Sequence, residues 1–583
     1  MRTEKATFAG IAVALIAVLV YLPSLTTGFN ADDYLILWRV KAIEGLGDPL
    51  GYFKFAFYEY FRPLGFLSYA LDWRVWHLDA FGFHLTNIAL HAANSFLVFR
   101  LARRLLPTPA AIVAGLLFAL HPASHEVVYW IAARFDLLAT FFGLLALALL
   151  ARPEQRWRIA GALAFGLALL AKESAISLLI IAPAWDAVVD RRGFRTTARR
   201  LLPLLAVLAV YIAIRSFGAE LDASVGSRRL PKAIMTLVGL AVVLWIAWNR
   251  RFEGPKVRGS EGPRVRRSEG SRVLGLAGAV VALGLVVAPQ WVFEKLGFVT
   301  HVVFYAVSPV IFPAPRAEWF NPASVVGSLP HLVLLALIGL LAWSLTRTTE
   351  SDNRRDLGFA VLFIAAALLP VSSMTGGLRY LYLPTVGVAL LGAALLSRLS
   401  KHAQLIAAAA VAVMLAISAQ QIVHAGRAWR TASTVTREGV ELMAGSLGRC
   451  GSDDVLLFTT PVAIGNIYAN LSWDAFDVLA NCTPRNFMTL LRVVGSDLQV
   501  SITSTAPDIV ELRVPDYAGN IVASRDLRNF VIPVTAGDTT SLDTAAGRLE
   551  TFPEGSTQVF RLTMTMEAKA ARRFYYSDGR IRQ

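Results

Sequence analysis

Apolar stretches long enough to cross a lipid bilayer recur along this chain, and they restrict its fold more than any other feature. A spanning helix needs roughly 20 apolar residues, because backbone amides in hydrocarbon must find partners within the protein. Hydropathy predicts spans over residues 8–25, 84–101, 109–121, 136–151, 159–171, 175–190, 201–216, 233–249, 273–290, 329–346, 357–373, 381–398 and 403–423. Of 583 residues, 55% are hydrophobic and 17% charged, more apolar side chain than a soluble core can hide. The expected fold is an all-α polytopic membrane protein of about 13 transmembrane helices. Residues 159–171 are short for a span. Merging 159–190 into one helix would set Lys172 and Glu173 in mid-membrane at considerable cost, so two short helices are predicted there.

A net charge of +15 raises nucleic acid as a partner, but the placement of the charge argues against it. Basic residues cluster in every second loop: Arg100, Arg103 and Arg104; Arg152, Arg156 and Arg158; Arg191 to Arg200; Arg250 to Arg272; Arg347, Arg354 and Arg355; Arg398 and Lys401. That is the positive-inside pattern of cytoplasmic loops. Met1 to Leu25 has the charge and apolar run of a signal peptide but no evident small-residue cleavage site, so it reads as an uncleaved first helix with a cytoplasmic N-terminus.

Residues 253–273 repeat every eight residues as EGPKVRGS, EGPRVRRS, EGSRV. Rich in Gly, Pro, Ser and charge, this stretch (the linker 250–272) is expected to be a disordered cytoplasmic segment touching anionic lipid heads. After His424 the composition changes. An amphipathic helix is predicted first, then strands in LQVSITST, IVELRVP, NFVIPV and QVFRLTMTM. By the parity of 13 spans, residues 424–583 form an extracytoplasmic α+β domain. The only cysteines, Cys450 and Cys482, lie there; two exclude a tetra-cysteine metal site and permit a disulfide.

Topology gathers the polar residues. Asp32 and Asp33 open the first outer loop, 26–83. His84 and Asn87 begin the second helix at its outer end, with His91 and Asn94 deeper. His121, His125 and Glu126 follow the third, and Arg134 and Asp136 open the fourth. Lys172 and Glu173 form the next outer turn, and Arg379, Tyr380 and Tyr382 precede the twelfth helix. Ionisable groups far apart in sequence converge on one face, the layout of a site. Each also has a plainer reading. Asn30 and Asp32 could cap an interfacial helix, His91 and Asn94 could bond between helices, and HPASHE could be a helix start. HEVVY lacks the second histidine of a metalloprotease. His121 and His125 could share a divalent cation, although no third ligand is evident. No cofactor is otherwise indicated.

Five ordered motifs carry a resemblance: FNADDYLIL; FRPLGFLSYALDWRVWHLDAFGFHLTNIALHAANSFLVF; HPASHEVVYWIAARFDLLATFF; LAKESAISLL; and GGLRYLYLPTVG. Over residues 1 to about 425 the chain resembles the GT-C membrane glycosyltransferases, notably the transmembrane and tetratricopeptide-repeat O-mannosyltransferases and their bacterial relatives. A β-containing domain stands where those proteins carry repeats. The resemblance implies a catalytic domain, 1–423, in a bacterial inner membrane. It would move a sugar, mannose in the named relatives, from a polyprenyl-phosphate carrier to a protein, lipid or glycan acceptor, with inversion. It implies an acidic first-loop base, Asp33 favoured over Asp32, and a cation for the leaving phosphate, Arg379 ahead of Lys172. His121, His125, Glu126, Arg134 and Asp136, with His84, Glu173 and Tyr380 beside them, would shape the sugar and acceptor pocket. A transporter or a non-catalytic envelope receptor or scaffold is the alternative. Transporters, however, bind near the midplane between repeated halves, and no such repeat is evident.

The alternation of basic loops makes a direct prediction. With Cys450 and Cys482 replaced by Ser, Gly259→Cys should be shielded from an impermeant thiol reagent in intact cells and Asp538→Cys should react. Equal labelling of the two would contradict the topology.

Overall fold

The computed structural model describes residues 2–43, 46–54, 61–219, 355–371 and 378–446, and from 455 onward the segments named below. The expected spans 233–249, 273–290 and 329–346, the repeat, and Cys450 and Cys482 lie outside the described residues. The membrane part is built from helices α1 (Arg2–Tyr21), α2 (Asp32–Ala42), α3 (Gly51–Lys54), α4 (Pro63–Trp76), α5 (Ala80–Ala102), α6 (Thr108–Ala119), α7 (Ser124–Tyr129), α8 (Arg134–Leu150), α9 (Gln155–Ala171), α10 (Leu178–Val188), α11 (Phe194–Ala219), α12 (Arg355–Leu368), α13 (Pro384–Leu396) and α14 (Lys401–Ser446). Among the described residues, four helical segments, Glu4–Thr26, Ile131–Leu150, Phe194–Arg215 and Lys401–Ser446, are long and apolar enough to cross a membrane.

Local chemistry sets several boundaries. Asp79 caps α5 by accepting the Phe81 N–H at 3.0 Å, which satisfies one donor of the first turn. Proline opens α4 and α13, where a missing N–H costs nothing. The predicted break at Lys172 is present: α9 ends at Ala171, a 3-10 turn covers Glu173–Ser177, and α10 follows. Small residues let helices approach. A Cβ on Gly161 of α9 would lie 2.7 Å from Leu150 of α8, the close packing that replaces a hydrophobic driving force inside a bilayer.

The first outer loop is itself helical. It holds α2, α3 and α4, and α2 is buried on Asp33, Tyr34, Ile36, Leu37, Arg39 and Val40 rather than lying open on an interface. The segments on either side of residue 424, expected as a span and a separate amphipathic helix, are one helix of 46 residues. Its apolar first half is largely uncovered, with Leu405 and Ile406 more than 70% exposed. Its second half packs into the protein through Trp429, Ala432, Val435, Val440 and Met443.

Beyond it lie α15 (Trp473–Ala480) and two sheets. The first sheet has the order β12 (Arg580–Arg582), β11 (Arg572–Ser577), β1 (Val455–Ile464), β3 (Asn486–Val494), β6 (Ile521–Ser524), β7 (Val531–Val534), with β2 (Ile467–Tyr468) also on β1. Here β1 runs parallel to both β11 and β3. The second is antiparallel, ordered β4 (Ser501–Ala506), β5 (Ile509–Val514), β10 (Thr557–Met564), β9 (Gly547–Glu554), β8 (Thr540–Thr544). Strands β4, β5, β7 and β10 fall in the predicted segments. The acid in the middle of β5, Glu511, is 2% exposed and is neutralised by Arg513 at 3.0 Å and Arg561 at 2.7 Å. Helix α15 packs on α2, where Lys41 Nζ donates to the Asp477 carbonyl at 2.9 Å and to Asn481 Oδ1 at 2.8 Å.

Gly426 decides how closely α14 approaches α7. A Cβ there would lie 2.3 Å from the Tyr129 hydroxyl and 2.5 Å from its ring, and Tyr129 is 1% exposed. Gly426→Ala should therefore cost about 1–3 kcal/mol through overpacking. Thermal unfolding in detergent would show it, with Tyr129→Ala restoring part of the loss in the double variant. An unshifted melting temperature for Gly426→Ala would mean that α14 is not seated on α7.

Candidate active site

The turn between α1 and α2 is strained and heavily braced. Ala31 has φ 47° and ψ −120°, a conformation L residues rarely adopt, at a cost of about 1–3 kcal/mol. Asp33 Oδ2 accepts the Asn30 N–H at 2.8 Å, and Oδ1 accepts the Ala132 N–H at 2.7 Å. From α14, Ser433 Oγ accepts the Gly28 N–H at 3.1 Å and Thr436 Oγ1 donates to Asn30 Oδ1 at 3.4 Å.

The two aspartates consequently differ. Asp33 is 1% exposed. Burial pushes its carboxyl well up, and the amides of Asn30 and Ala132 pull against that shift. It is Asp33 that reaches back to the start of α2. The N-cap of α2 is Ala31, with no side-chain bond, so Asp32 does not form the cap expected of it, and Asp33 instead holds the Asn30 amide just ahead of the helix. Asp32 is exposed and makes no hydrogen bond or ion pair among the described residues. Surrounding protein still desolvates it enough to raise its carboxyl, and the Arg379 guanidinium partly offsets that rise.

Arg379, in the turn Leu378–Leu381, is fixed on every side. It donates to Glu126 Oε1 at 2.6 Å and to the Tyr380 hydroxyl at 3.2 Å. Its guanidinium carbon lies 4.7 Å from the Trp130 ring and 4.6 Å from the Tyr380 ring. Burial opposes its charge, but Glu126 outweighs burial and raises its pKa. Glu126 Oε2 also accepts the Leu378 N–H at 2.5 Å, locking α7 to this turn. Lys172 approaches the same tyrosine, with Nζ 4.9 Å from the Tyr380 ring. It is 3% exposed and donates to both oxygens of Asp136, at 2.6 and 2.7 Å. Next to it, Glu173 receives Arg62 in a two-bond fork at 2.7 and 3.1 Å. Burial raises the Glu173 carboxyl, but Arg62 prevails and holds it down to about 2.

Other predicted residues lie deeper. Arg134 is fully buried. It donates to Asn87 Oδ1 at 2.8 Å and the Phe83 carbonyl at 2.9 Å, pairs with Asp72 at 2.6 Å, and stacks 4.5 Å from the Tyr69 ring. This corrects its expected place in a sugar pocket: it ties α4, α5 and α8 together, with its donors directed at protein partners. His84 is fully buried as well and lines no open surface. His121, 8% exposed, accepts the Ala123 N–H on Nδ1 at 3.2 Å and shapes the turn into α7. His91 and Asn94 make the interhelical bonds expected of them, to Tyr382, Ala119 and Leu137. Among the described residues no three His, Cys, Asp or Glu side chains are placed to hold a metal ion.

Arg62, Asp72, Trp130 and Trp429 are participants that sequence reasoning passed over. Arg62 carried a signal, since a cation in a loop assigned to the outer face departs from the positive-inside rule. The aromatic pair carried none.

Residues 63–217 match the family described as dolichyl-phosphate-mannose-protein mannosyltransferase. The chain resembles the GT-C membrane glycosyltransferases. The protein O-mannosyl-transferase Tmtc1 of Drosophila melanogaster is 33% identical over 189 residues, 29% of this chain and 22% of its own length. Human TMTC4, also a protein O-mannosyl-transferase, is 23% identical over 422 residues, 66% of this chain and 53% of its own. The chain thus spans about a fifth of the length of the Drosophila relatives it matches. Two solved structures are similar. The archaeal oligosaccharyltransferase AglB of Archaeoglobus fulgidus, in complex with an inhibitory peptide and a dolichol-phosphate, has 15% identity over 82% of this chain and 64% of that one, with a TM-score of 0.44. ArnT of Cupriavidus metallidurans, bound to undecaprenyl phosphate, has 16% identity over 81% and 85%, with a TM-score of 0.35. The matched residues 63–217 include Glu126 and Lys172.

His125 gives the site an acid dependence. It accepts the Trp429 Nε1–H on Nδ1 at 3.1 Å, so its own proton sits on Nε2. Burial holds the imidazole down to about 4. The unfolded value is about 6.5, so its stabilising effect is complete above that pH. It is lost as pH falls toward 4, because the unfolded chain takes the proton first. His125→Gln should flatten the melting-temperature profile across this window relative to wild type. An identical profile would show that the imidazole titrates alike in both states.

Proposed function

We propose that this chain takes a sugar from a polyprenyl monophosphate carrier and passes it, with inversion, to an acceptor hydroxyl at the extracytoplasmic face of a membrane. One observation carries the reading: an exposed carboxylate, Asp32, stands in the field of a fixed guanidinium, Arg379. A base and a phosphate partner are the two groups such a transfer requires. Asp32, in place of the Asp33 favoured from sequence, is the base, because its oxygens are open to a substrate while those of Asp33 are engaged by two backbone amides. A carboxyl raised by desolvation is also the better proton acceptor.

In this scheme the acceptor oxygen loses its proton to Asp32 as it attacks the anomeric carbon. The bond from that carbon to the phosphate oxygen breaks, and its electron pair leaves with the lipid phosphate. Arg379 spends one N–H on Glu126 and one on Tyr380, and a guanidinium has five; the rest are free to take phosphate oxygens. Lys172 adds positive potential through the same tyrosine. Glu126 and Asp136 hold the two cations in place, and Glu173 anchors the Lys172 turn through Arg62. His121 and His125 shape α7. The match to a dolichyl-phosphate-mannose family supports mannose as the sugar, with a protein among the acceptor classes. The catalytic unit expected over 1–423 extends through the second half of α14, whose Trp429, Ser433 and Thr436 brace the site, and the sheets beyond it form the outer domain that meets the acceptor.

The test is release of polyprenyl monophosphate from a mannose-charged carrier by purified protein in liposomes. Arg379→Gln should raise the donor KM about 10- to 100-fold, the equivalent of losing a charged contact worth about 1.5–3 kcal/mol. Unchanged donor kinetics in a folded variant would remove Arg379 from the site. Movement of intact carrier across the bilayer without phosphate release would favour the transporter reading.

A further inference from the structure

Helix α14 changes its chemistry partway along without changing the face it exposes. From Val413 onward every third or fourth residue is exposed: Val413, Ala416, Gln420, Val423, Arg427 and Arg430. That spacing sets them on one side of the helix. The first part of the stripe is mostly apolar, with Val413 60% and Val423 37% exposed, and it lies in a segment long and apolar enough to cross a membrane. Apolar residues left uncovered on such a helix meet acyl chains.

Beyond Val423 the same face turns basic. At 1.5 Å of rise per residue, Arg427 and Arg430 stand about 6 and 10 Å further along the axis. Headgroup layers extend roughly 5–8 Å on each side of the hydrocarbon, and an arginine stem is long enough to bend back toward them. Neither cation has an acid to pair with. No Asp or Glu occurs from residue 357 to residue 437, and among the described residues no carboxylate lies within ion-pair distance of either side chain. Other cations at this end of the bundle differ: Arg62, Lys172 and Arg379 each meet a carboxylate, and Arg437, about two turns further along α14, takes Glu441 at 2.9 Å. The buried face of these turns holds Gly28 and Asn30 through Ser433 and Thr436, which puts the arginines on the Asp32 side of the bundle. Basic residues assigned to the outer side depart from the positive-inside pattern.

We propose that Arg427 and Arg430 bind the phosphate of an anionic membrane lipid and so hold α14 at a fixed depth. A phosphate diester offers the negative charge and the oxygens that guanidinium N–H groups pair with. Continuity of the face decides for a lipid over an acidic protein, because Val423, one turn before Arg427, already meets hydrocarbon. The opposite side of these turns carries Trp429, Ser433 and Thr436, which brace the candidate site. A headgroup held from outside steadies that brace without touching the reacting groups.

The experiment uses the full chain with Cys450 and Cys482 replaced by Ser and a fluorophore on Gln420→Cys, in phosphatidylcholine nanodiscs. Residue 420 shares the exposed face of the arginines, so lipids spin-labelled on the upper acyl chain quench the fluorophore when they dwell there. Labelled phosphatidylglycerol should quench about 5-fold more strongly than equally labelled phosphatidylcholine, the equivalent of about 1 kcal/mol. Adding Arg427→Gln and Arg430→Gln should erase that preference and leave the melting temperature unchanged, since both side chains are exposed. Equal quenching by the two lipids before the arginines are replaced, or an undiminished preference in the folded double variant, would overturn the proposal. Inorganic phosphate at the concentration of the labelled lipid should leave the preference intact; its loss would overturn the lipid assignment.

Discussion

One buried carboxylate organises the candidate site. Asp33 bridges two backbone amides, that of Asn30 after α1 and that of Ala132, 99 residues further along the chain than Asp33 itself, before α8. Hydrogen bonds to a charged group contribute about 1.5–3 kcal/mol each, enough to offset the strain at Ala31 and part of the cost of burying the acid. Without that bridge the turn would have no reason to hold φ 47°. With it, the next residue back is carried to the surface. The geometry of Asp32 is therefore a consequence of Asp33, and the helix that leaves the membrane as α14 completes the clamp through Ser433 and Thr436.

The cations around Tyr380 follow a second constraint. Arg379, Lys172 and Arg62 gather at one end of the bundle, and each meets its own carboxylate: Glu126, Asp136 and Glu173. Buried ion pairs contribute little to stability once desolvation is counted, so their value lies in position. Pairing keeps like charges close enough for two of them to share one aromatic ring. An incoming phosphate meets donors already oriented, with little side-chain entropy left to lose.

The helical, membrane-spanning character of the chain was legible because apolar length reports on the membrane directly. The Lys172 break was legible since a cation and an acid have no place in mid-span. Continuity of α14 was not, because hydropathy records the surrounding solvent while helix geometry continues unchanged across residue 424. Arg134 looked like a site residue because its charge was visible and its partners were not: Phe83, Asn87 and Asp72 are more than 40 residues away in the chain. The adjacent aspartates illustrate the same limit. Successive residues on a helix point about 100° apart, so one must turn inward, but the amide that selects Asp33 belongs to a distant loop.

The most direct measurement compares Asp32→Asn with Asp33→Asn for melting temperature, donor binding and sugar transfer. If Asp32 is the base, its amide variant keeps the wild-type melting temperature and donor affinity, while turnover falls on the order of 100-fold or more. Asp33→Asn sets an amide NH2 against a backbone N–H and should lose stability first. A folded Asp32→Asn protein with full turnover would contradict the assignment outright.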